Sequence, residues 1–305
     1  MGTDSRARAS AREKAAEMRA AERRRERRQR ILIALGLVVA VVVVIGGLVG
    51  VKLASGGKAT STAKPASPAS DQIIKDVTSV PTSTFNAVGA GTASNFPSPI
   101  NPPGPQAAGK PRTLYVGAEY CPYCAAERWA LAVALSRFGS FGTLGVTHSS
   151  TVDVFPNTAT LTFHNASFAS DVMAFTAYET ATNQVNQAGT GYVPLDTLTA
   201  ADQQLEAKYN APPFVPASAQ GTIPFIYFDG HYVQSGASYS PQVLAGKTQE
   251  QIAASLADPN NAISKAVVGS ANVLTAAICT TTQQKPVDVC TSPGVVAGAA
   301  KLGTS

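Results

Sequence analysis

An α/β domain with a mixed sheet flanked by helices, carried behind a single apolar N-terminal segment, is the fold class this 305-residue chain predicts. Three observations predict it. An apolar strand-like run, R-T-L-Y-V-G at 112–117, leads directly into a cysteine-bearing helix start. Much later, I-P-F-I-Y-F-D-G-H-Y-V-Q at 223–234 reads as strand, Asp-Gly turn, strand, the strongest short-range hairpin signal. A 21-residue run without a charge, 31–51, stands apart from both.

Composition narrows the function. The chain is 45% apolar and only 14% charged, against about 25% charged in an ordinary globular protein. That excludes a charged disordered chain, a coiled coil and a multi-span transporter. The net charge of +5 belongs to the N-terminal tail: residues 1–30 hold ten Arg and one Lys against five acids. The remainder is nearly neutral and lacks the basic stripe of a nucleic-acid binder. Four cysteines allow two pairs, not a disulfide-dense scaffold.

Taken in order, residues 1–30 form a basic tail ending in six arginines between Arg23 and Arg30. The run 31–51 is long enough to cross a bilayer as a helix. The positive-inside rule leaves the tail in the cytoplasm and the C-terminal bulk outside. A cleaved signal peptide is the alternative, but its apolar core is shorter and a small-residue cleavage site follows it. Residues 52–70, rich in Ala, Ser, Gly, Thr, Lys and Pro, read as a flexible spacer. Residues 71–111 read as a strap, with a short helix at 71–80 ended by Pro81 and an irregular, six-proline stretch at 94–111.

The main domain is expected over 112–295, with 296–305 a tail. After the strand 112–117, a helix runs to a Gly139 stop. Strands are expected at 142–147, 158–164 and 172–178. Thr199 with Asp202 opens a helix to about Tyr209. Ser240–Pro241 and Thr248–Gln251 mark further helix starts, and an apolar helix covers about 261–279.

The chemistry sits in Cys121-Pro122-Tyr123-Cys124. With Cys121 at the N-cap, Pro122 takes the first helical position, where its missing N–H costs nothing. Cys124 lies one turn on. Cys121 then faces unpaired backbone N–H groups and the positive end of the helix dipole. Both stabilise a thiolate and lower its pKa, which suits thiol–disulfide exchange. A zinc ribbon needs a second pair at similar spacing, whereas Cys279 and Cys290 are eleven apart and the histidines are scattered. No metal and no cofactor are expected.

Strand, C-P-Y-C, long helix and a later I-P strand together resemble the thioredoxin superfamily. The resemblance implies that Pro224 is a cis-proline beside the cysteine pair. It also implies that Ile223 pairs through its backbone with an incoming peptide, while Pro122 and Tyr123 line the substrate side. The alternative for Pro224 is an ordinary proline opening a strand. The stretches N-A-V-G-A-G, Y-V-G-A-E-Y-C-P-Y-C and H-S-S-T-V-D-V-F-P-N-T, with the final cysteine pair, are similar over about 72–295 to a narrower family. That is the domain of unknown function 929, membrane-anchored thioredoxin-like proteins of actinobacteria and archaea. No substrate is established for that family.

Three departures from the thioredoxin pattern stand out. Tyr115 occupies the position of the buried acid six residues before the first cysteine, and Glu119 is expected to be exposed. Glutathione-binding signatures are absent. An inserted, part-helical segment is expected at about 165–220. Cys279 and Cys290 are expected to form a structural disulfide, with a redox relay as the alternative, and Trp129 to lie in the core.

The expected function is therefore a membrane-anchored, extracytoplasmic thiol–disulfide oxidoreductase. Cys121 attacks and Cys124 resolves. The partners expected are cysteine-containing extracytoplasmic proteins and a membrane redox partner, with no nucleic acid. The rivals are a non-catalytic binding or scaffold module with C-P-Y-C as a staple, and Cu(I) handling by the two thiolates.

Overall fold

The computed structural model describes Ser61 and residues 63–303. The tail 1–30, the apolar run 31–51 and most of the expected spacer 52–70 lie outside the described residues. In chain order the elements begin with strand β1 (Ser67–Pro68), helices α1 (Asp71–Thr78) and α2 (Thr82–Val88), and strand β2 (Ser98–Pro99). Strand β3 (Arg112–Gly117) leads into helix α3 (Pro122–Leu135). Strands β4 (Ser140–His148), β5 (Ala159–Ala169), β6 (Ala174–Glu179), β7 (Ala181–Val185) and β8 (Tyr192–Pro194) follow, then helix α4 (Ala200–Tyr209). Strands β9 (Phe225–Phe228) and β10 (Tyr232–Ser235) precede helices α5 (Gln249–Ser255), α6 (Ala262–Thr281), α7 (Val287–Cys290) and α8 (Pro293–Ala299).

The central sheet has the order β2-β10-β9-β3-β6. β3 and β6 are parallel, and the other pairings are antiparallel. Side chains alternate across such a sheet, and here both faces are buried. Tyr115, Ile226 and Phe228 join the larger core beneath α3 and α6. Leu114, Val116, Phe225 and Tyr227 join a smaller core on the opposite face with Ile100, Tyr209 and Val215. That second face is why the proline-rich stretch 94–111 is ordered. Tyr227 Oη donates to Pro105 O at 2.6 Å, and Gly104 N donates to Gly230 O at 2.8 Å.

The Asp-Gly hairpin forms where the sequence places it. Its turn has φ of 41° at Asp229 and 81° at Gly230, as a type I′ turn requires at both central residues. Gly230 is also needed for space, because a Cβ there would meet Gly104 O. Asp229 Oδ1 accepts from Ala107 N at 2.8 Å and Arg112 N at 3.1 Å, so the turn pins the strap to the start of β3.

Four sequence readings are adjusted by the fold. Pro81 does not simply end a helix: it is the N-cap of α2. The spacer reading extends too far, since Ala63 is buried and Ser67–Pro68 pairs with β4. The run 172–178 is β6, the parallel neighbour of β3 and part of the central sheet, so the insertion cannot begin at 165. Two segments lie outside the central sheet: the β4–β5 hairpin, paired with β1 in a three-stranded sheet, and the stretch from β7 to Thr222. Both cut into what would otherwise be direct connections between strands of the central sheet.

Helix α6 is 20 residues long and apolar enough by composition to cross a membrane, but 89% of its most apolar window is buried inside the fold. It is a core helix, packed against α3 and α8. Its C-terminal end carries the Cys279–Cys290 disulfide, with Cα atoms 5.6 Å apart and both residues in the core. Cross-linking residues eleven apart removes loop-closure entropy from the unfolded chain. The Cys279→Ala/Cys290→Ala double variant is expected to lose about 3 kcal/mol of unfolding free energy, measured by denaturant titration with fluorescence of the buried Trp129.

Glu127 is fully buried on α3 and clips the segment after β10. It accepts from Ser238 N at 2.7 Å, Ser238 Oγ at 2.9 Å and Gln234 Nε2 at 3.1 Å. Burial nevertheless dominates and pushes its carboxyl up from 4.5 to about 7. Between those values the folded state holds more protons than the unfolded chain, so this group makes stability fall as pH rises across that window. Urea midpoints between pH 4.5 and 7.5 are expected to decline less steeply in Glu127→Gln than in the parent. An unchanged slope would show that Glu127 stays ionised throughout.

Candidate functional site

The site is built where β3 ends and α3 begins. β3 is buried on both faces and stops at Gly117, and the chain turns through residues 118–120 into the cysteine motif. Cys121 is the N-cap of α3, with φ −77° and ψ 122°, and Pro122 occupies the first turn. The Cys121 sulfur accepts from Cys124 N at 3.2 Å, the bond that an N-cap side chain makes to the N3 amide. Cys121 keeps 6% of its surface in solvent and Cys124 none, so only Cys121 can be reached from outside. Both are free thiols.

The expected residues Ile223 and Pro224 are brought to this sulfur. Cys121 Sγ lies 3.8 Å from Ile223 O, and the Ile223–Pro224 peptide is cis. Pro122 is buried at the helix start, whereas Tyr123 is exposed beside it. Cys279 and Cys290 are bonded to each other and contribute no free thiol. Among the described residues, no group of three His, Cys, Asp or Glu side chains is placed to hold a metal ion.

The two thiols differ sharply in proton affinity. Cys121 is lowered from its ordinary value, first by the hydrogen bond from the Cys124 side chain, then by the Cys124 backbone N–H and the Arg128 charge, against a burial term that raises it. Cys124 is held well above its ordinary value, first by burial and then by the neighbouring Cys121. Of the two, Cys121 is therefore the thiol that gives up its proton first.

Beneath the pair lies an ionic network that the sequence reading missed. Arg128 and Glu179 are completely buried and paired at 2.8 Å. Arg128 Nη1 also donates to Ala118 O at 3.2 Å, and Nε donates to Thr160 Oγ1 at 3.4 Å, while Nη2 makes no hydrogen bond. Glu179 Oε1 accepts from Phe163 N at 3.3 Å, and burial raises its carboxyl to about 7. Glu119, expected to be exposed, is buried at 2% and accepts from Thr162 Oγ1 at 2.8 Å. Its place in the turn under the motif, facing β5, removes it from solvent. Tyr115 is buried with its hydroxyl unbonded, held far above its usual range chiefly by burial.

Signals for this network existed. Arg128 is i+4 from Cys124 and so shares its face of the helix. It is also a cation next to the wholly apolar run W-A-L-A-V-A-L, where a charge needs a partner. Glu179 ends β6 opposite Gly117, so the parallel strands place it and the turn into the motif at their carboxyl ends, the edge where open α/β sheets place their sites.

A protein with an open mixed α/β sheet and a cysteine pair at a helix N-terminus, over a buried ion pair, is the class this geometry defines. Residues 102–280, more than half of the chain, match the family model described as Domain of unknown function (DUF929), and the chain belongs to that family. Neither a comparison with curated proteins nor one with solved structures returned a match.

Removing one member of a buried ion pair leaves the other charge uncompensated, at a cost of about 3–5 kcal/mol. Arg128→Met is expected to be destabilised by that order. Arg128→Met/Glu179→Leu is expected to recover most of the loss, as a double-mutant cycle on unfolding free energies would show.

Proposed function

We propose that this protein is a thiol–disulfide oxidoreductase with a thioredoxin-like active site, acting on cysteine-containing polypeptides through Cys121 and Cys124. One observation carries the reading. The Cys121 thiol, whose proton is held less tightly than usual, donates to the backbone carbonyl of Ile223 at 3.8 Å, beside the cis Ile223–Pro224 peptide. The reactive sulfur is thereby set beside a main-chain segment to which an extended peptide can add as a further strand. The I-P strand and Asp-Gly hairpin against a C-P-Y-C helix support the thioredoxin resemblance.

In the reducing direction, the Cys121 thiolate attacks one sulfur of a substrate disulfide. A Cys121–substrate bond forms, and the other substrate sulfur leaves as thiolate. Once Cys121 is in that mixed disulfide its negative charge is gone, and one of the influences holding the Cys124 proton disappears with it. The Cys124 thiolate then attacks Cys121 Sγ and releases the second substrate thiolate. The cysteine pair is oxidised by two electrons and the substrate disulfide is reduced by two. The oxidising direction is the reverse. The unpartnered Arg128 guanidinium edge supplies positive potential for the buried thiolate stage.

The proposed setting is extracytoplasmic, with the domain tethered by 31–51. The charge pattern of residues 1–51 supports this, as does the Cys279–Cys290 disulfide, a bond that persists in oxidising compartments.

The full chain is expected to reduce, or to oxidise, a polypeptide cysteine pair catalytically, and Cys121→Ser is expected to abolish this. A midpoint near about −120 mV would assign it as a disulfide donor, and one near about −270 mV as a reductase. In alkylation against pH, Cys121 is expected to react with a midpoint below the ordinary thiol value, and Cys124→Ala is expected to move that midpoint up. A Cys121–Cys124 disulfide that resists reduction, or a Cys121 thiol that resists alkylation, would overturn the reading in favour of a passive staple.

A further inference from the structure

Two aromatic pairs stand on either side of Cys121. Tyr120, the residue before it, stacks on Tyr192 of β8 with centroids 4.0 Å apart and planes within 2°. Tyr123, two residues after it, meets Phe155 edge-on at 5.8 Å. Each pair joins a residue of the cysteine turn to an inserted segment: the β7–β8 hairpin on one side, the loop 149–158 on the other. Main-chain bonds fix both segments there. Ser150 N donates to Tyr120 O at 2.8 Å, and Glu119 N donates to Ala181 O at 2.9 Å.

The surface so formed is nearly uncharged and presents exposed apolar side chains among neutral polar ones. Tyr123 is 42% exposed, unusual for a large apolar side chain in this fold, and Val154 beside Phe155 is 47% exposed. Across 149–158 and 181–194 the single ionisable acid is Asp153, and there is no Lys or Arg. The charges next to the motif, Glu119 and Arg128, are buried. Neither segment offers a basic side chain to pair with the carboxylates of a small anionic thiol. The rings instead offer amphipathic area of the kind that binds apolar side chains.

Resting on the exchange reading above, we propose that these two aromatic pairs form a clasp that selects the substrate. It favours an extended polypeptide with an apolar or aromatic side chain adjacent to the reacting cysteine, and it disfavours anionic thiols such as glutathione. Ile223 O meets the peptide main chain, and the rings of Tyr120–Tyr192 and Tyr123–Phe155 receive the neighbouring side chains. Tyr192 and Phe155 are specificity residues: they touch substrate side chains, not the sulfurs that exchange.

The test uses the full chain and two disulfide-bearing peptides that differ only in Phe or Glu beside the cysteine. Each rate is normalised to that of the same enzyme with a small neutral disulfide. The parent is expected to prefer the Phe peptide in kcat/KM by about tenfold or more, within the range an apolar contact supplies. Tyr192→Ser/Phe155→Ser is expected to bring the ratio to within about threefold of unity, Tyr192→Leu/Phe155→Leu to retain most of it, and Asp153→Lys to raise the normalised rate with the Glu peptide. Fluorescence of Trp129 reports whether each variant is folded, and Tyr192→Ser alone serves if the double variant is not. A parent ratio near one, or a ratio preserved in the folded serine variants, would overturn the clasp. Absence of exchange with every substrate, the small disulfide included, would instead overturn the oxidoreductase reading.

Discussion

The arrangement around the cysteine pair depends on one buried guanidinium. Arg128 has no access to solvent, so its charge must be answered inside the fold, and the groups that answer it come from three directions. Glu179 arrives on β6, Thr160 on β5, and the Ala118 carbonyl from the turn that leads into the motif. A shift of α3 relative to the sheet would separate at least one of these from the charge, and an unpaired buried ion is among the costliest defects a fold can carry. The helix that presents Cys121 is thus fixed against the strand that feeds it.

A second tie holds the other side of the same helix. Glu127, adjacent to Arg128, faces the segment after β10 and takes three hydrogen bonds from Gln234 and Ser238. Tyr239 Oη donates to Ala126 O at 2.7 Å and extends the contact. Since β10 pairs with β9, these bonds connect α3 to the hairpin that opens with Ile223–Pro224. Consecutive residues of one helix therefore position both halves of the site. Arg128 holds the cysteine turn, and Glu127 holds the strand pair that the cysteine faces. Small residues on α3 and α6 let the two helices approach across the core, which leaves the N-terminus of α3 little freedom to tilt.

Much of this was legible in the letters. The N-cap role of Cys121, the Asp-Gly turn, the apolar helix near 261–279 and the pairing of the last two cysteines rest on local rules, which act through neighbours in sequence and survive any tertiary context. Ile223 and Pro224 came through resemblance, because nothing local joins them to residue 121. What escaped was set by long-range packing. Glu119 sits in a turn, and its burial is decided by Thr162, more than forty residues away. The run 172–178 read correctly as a strand, yet its place beside β3 depends on a parallel pairing that crosses the entire β4–β5 excursion, and no periodicity reports a partner at that distance.

The resulting electrostatics divide the labour between two chemically identical side chains. At the helix N-terminus the partner thiol, a backbone N–H and the Arg128 charge favour ionisation of Cys121 and outweigh its burial. One turn deeper, burial keeps Cys124 protonated while Cys121 is ionised. The buried cation sits behind both and lowers the proton affinity of each sulfur. Burial alone would leave two inert thiols, and a cation alone would ionise whichever thiol lay nearer to it. The gradient from rim to core makes the two thiols unequal. It follows from three placements: a cysteine at the N-cap, its partner on the buried face, and an arginine one turn beyond with a carboxylate from β6 to hold it.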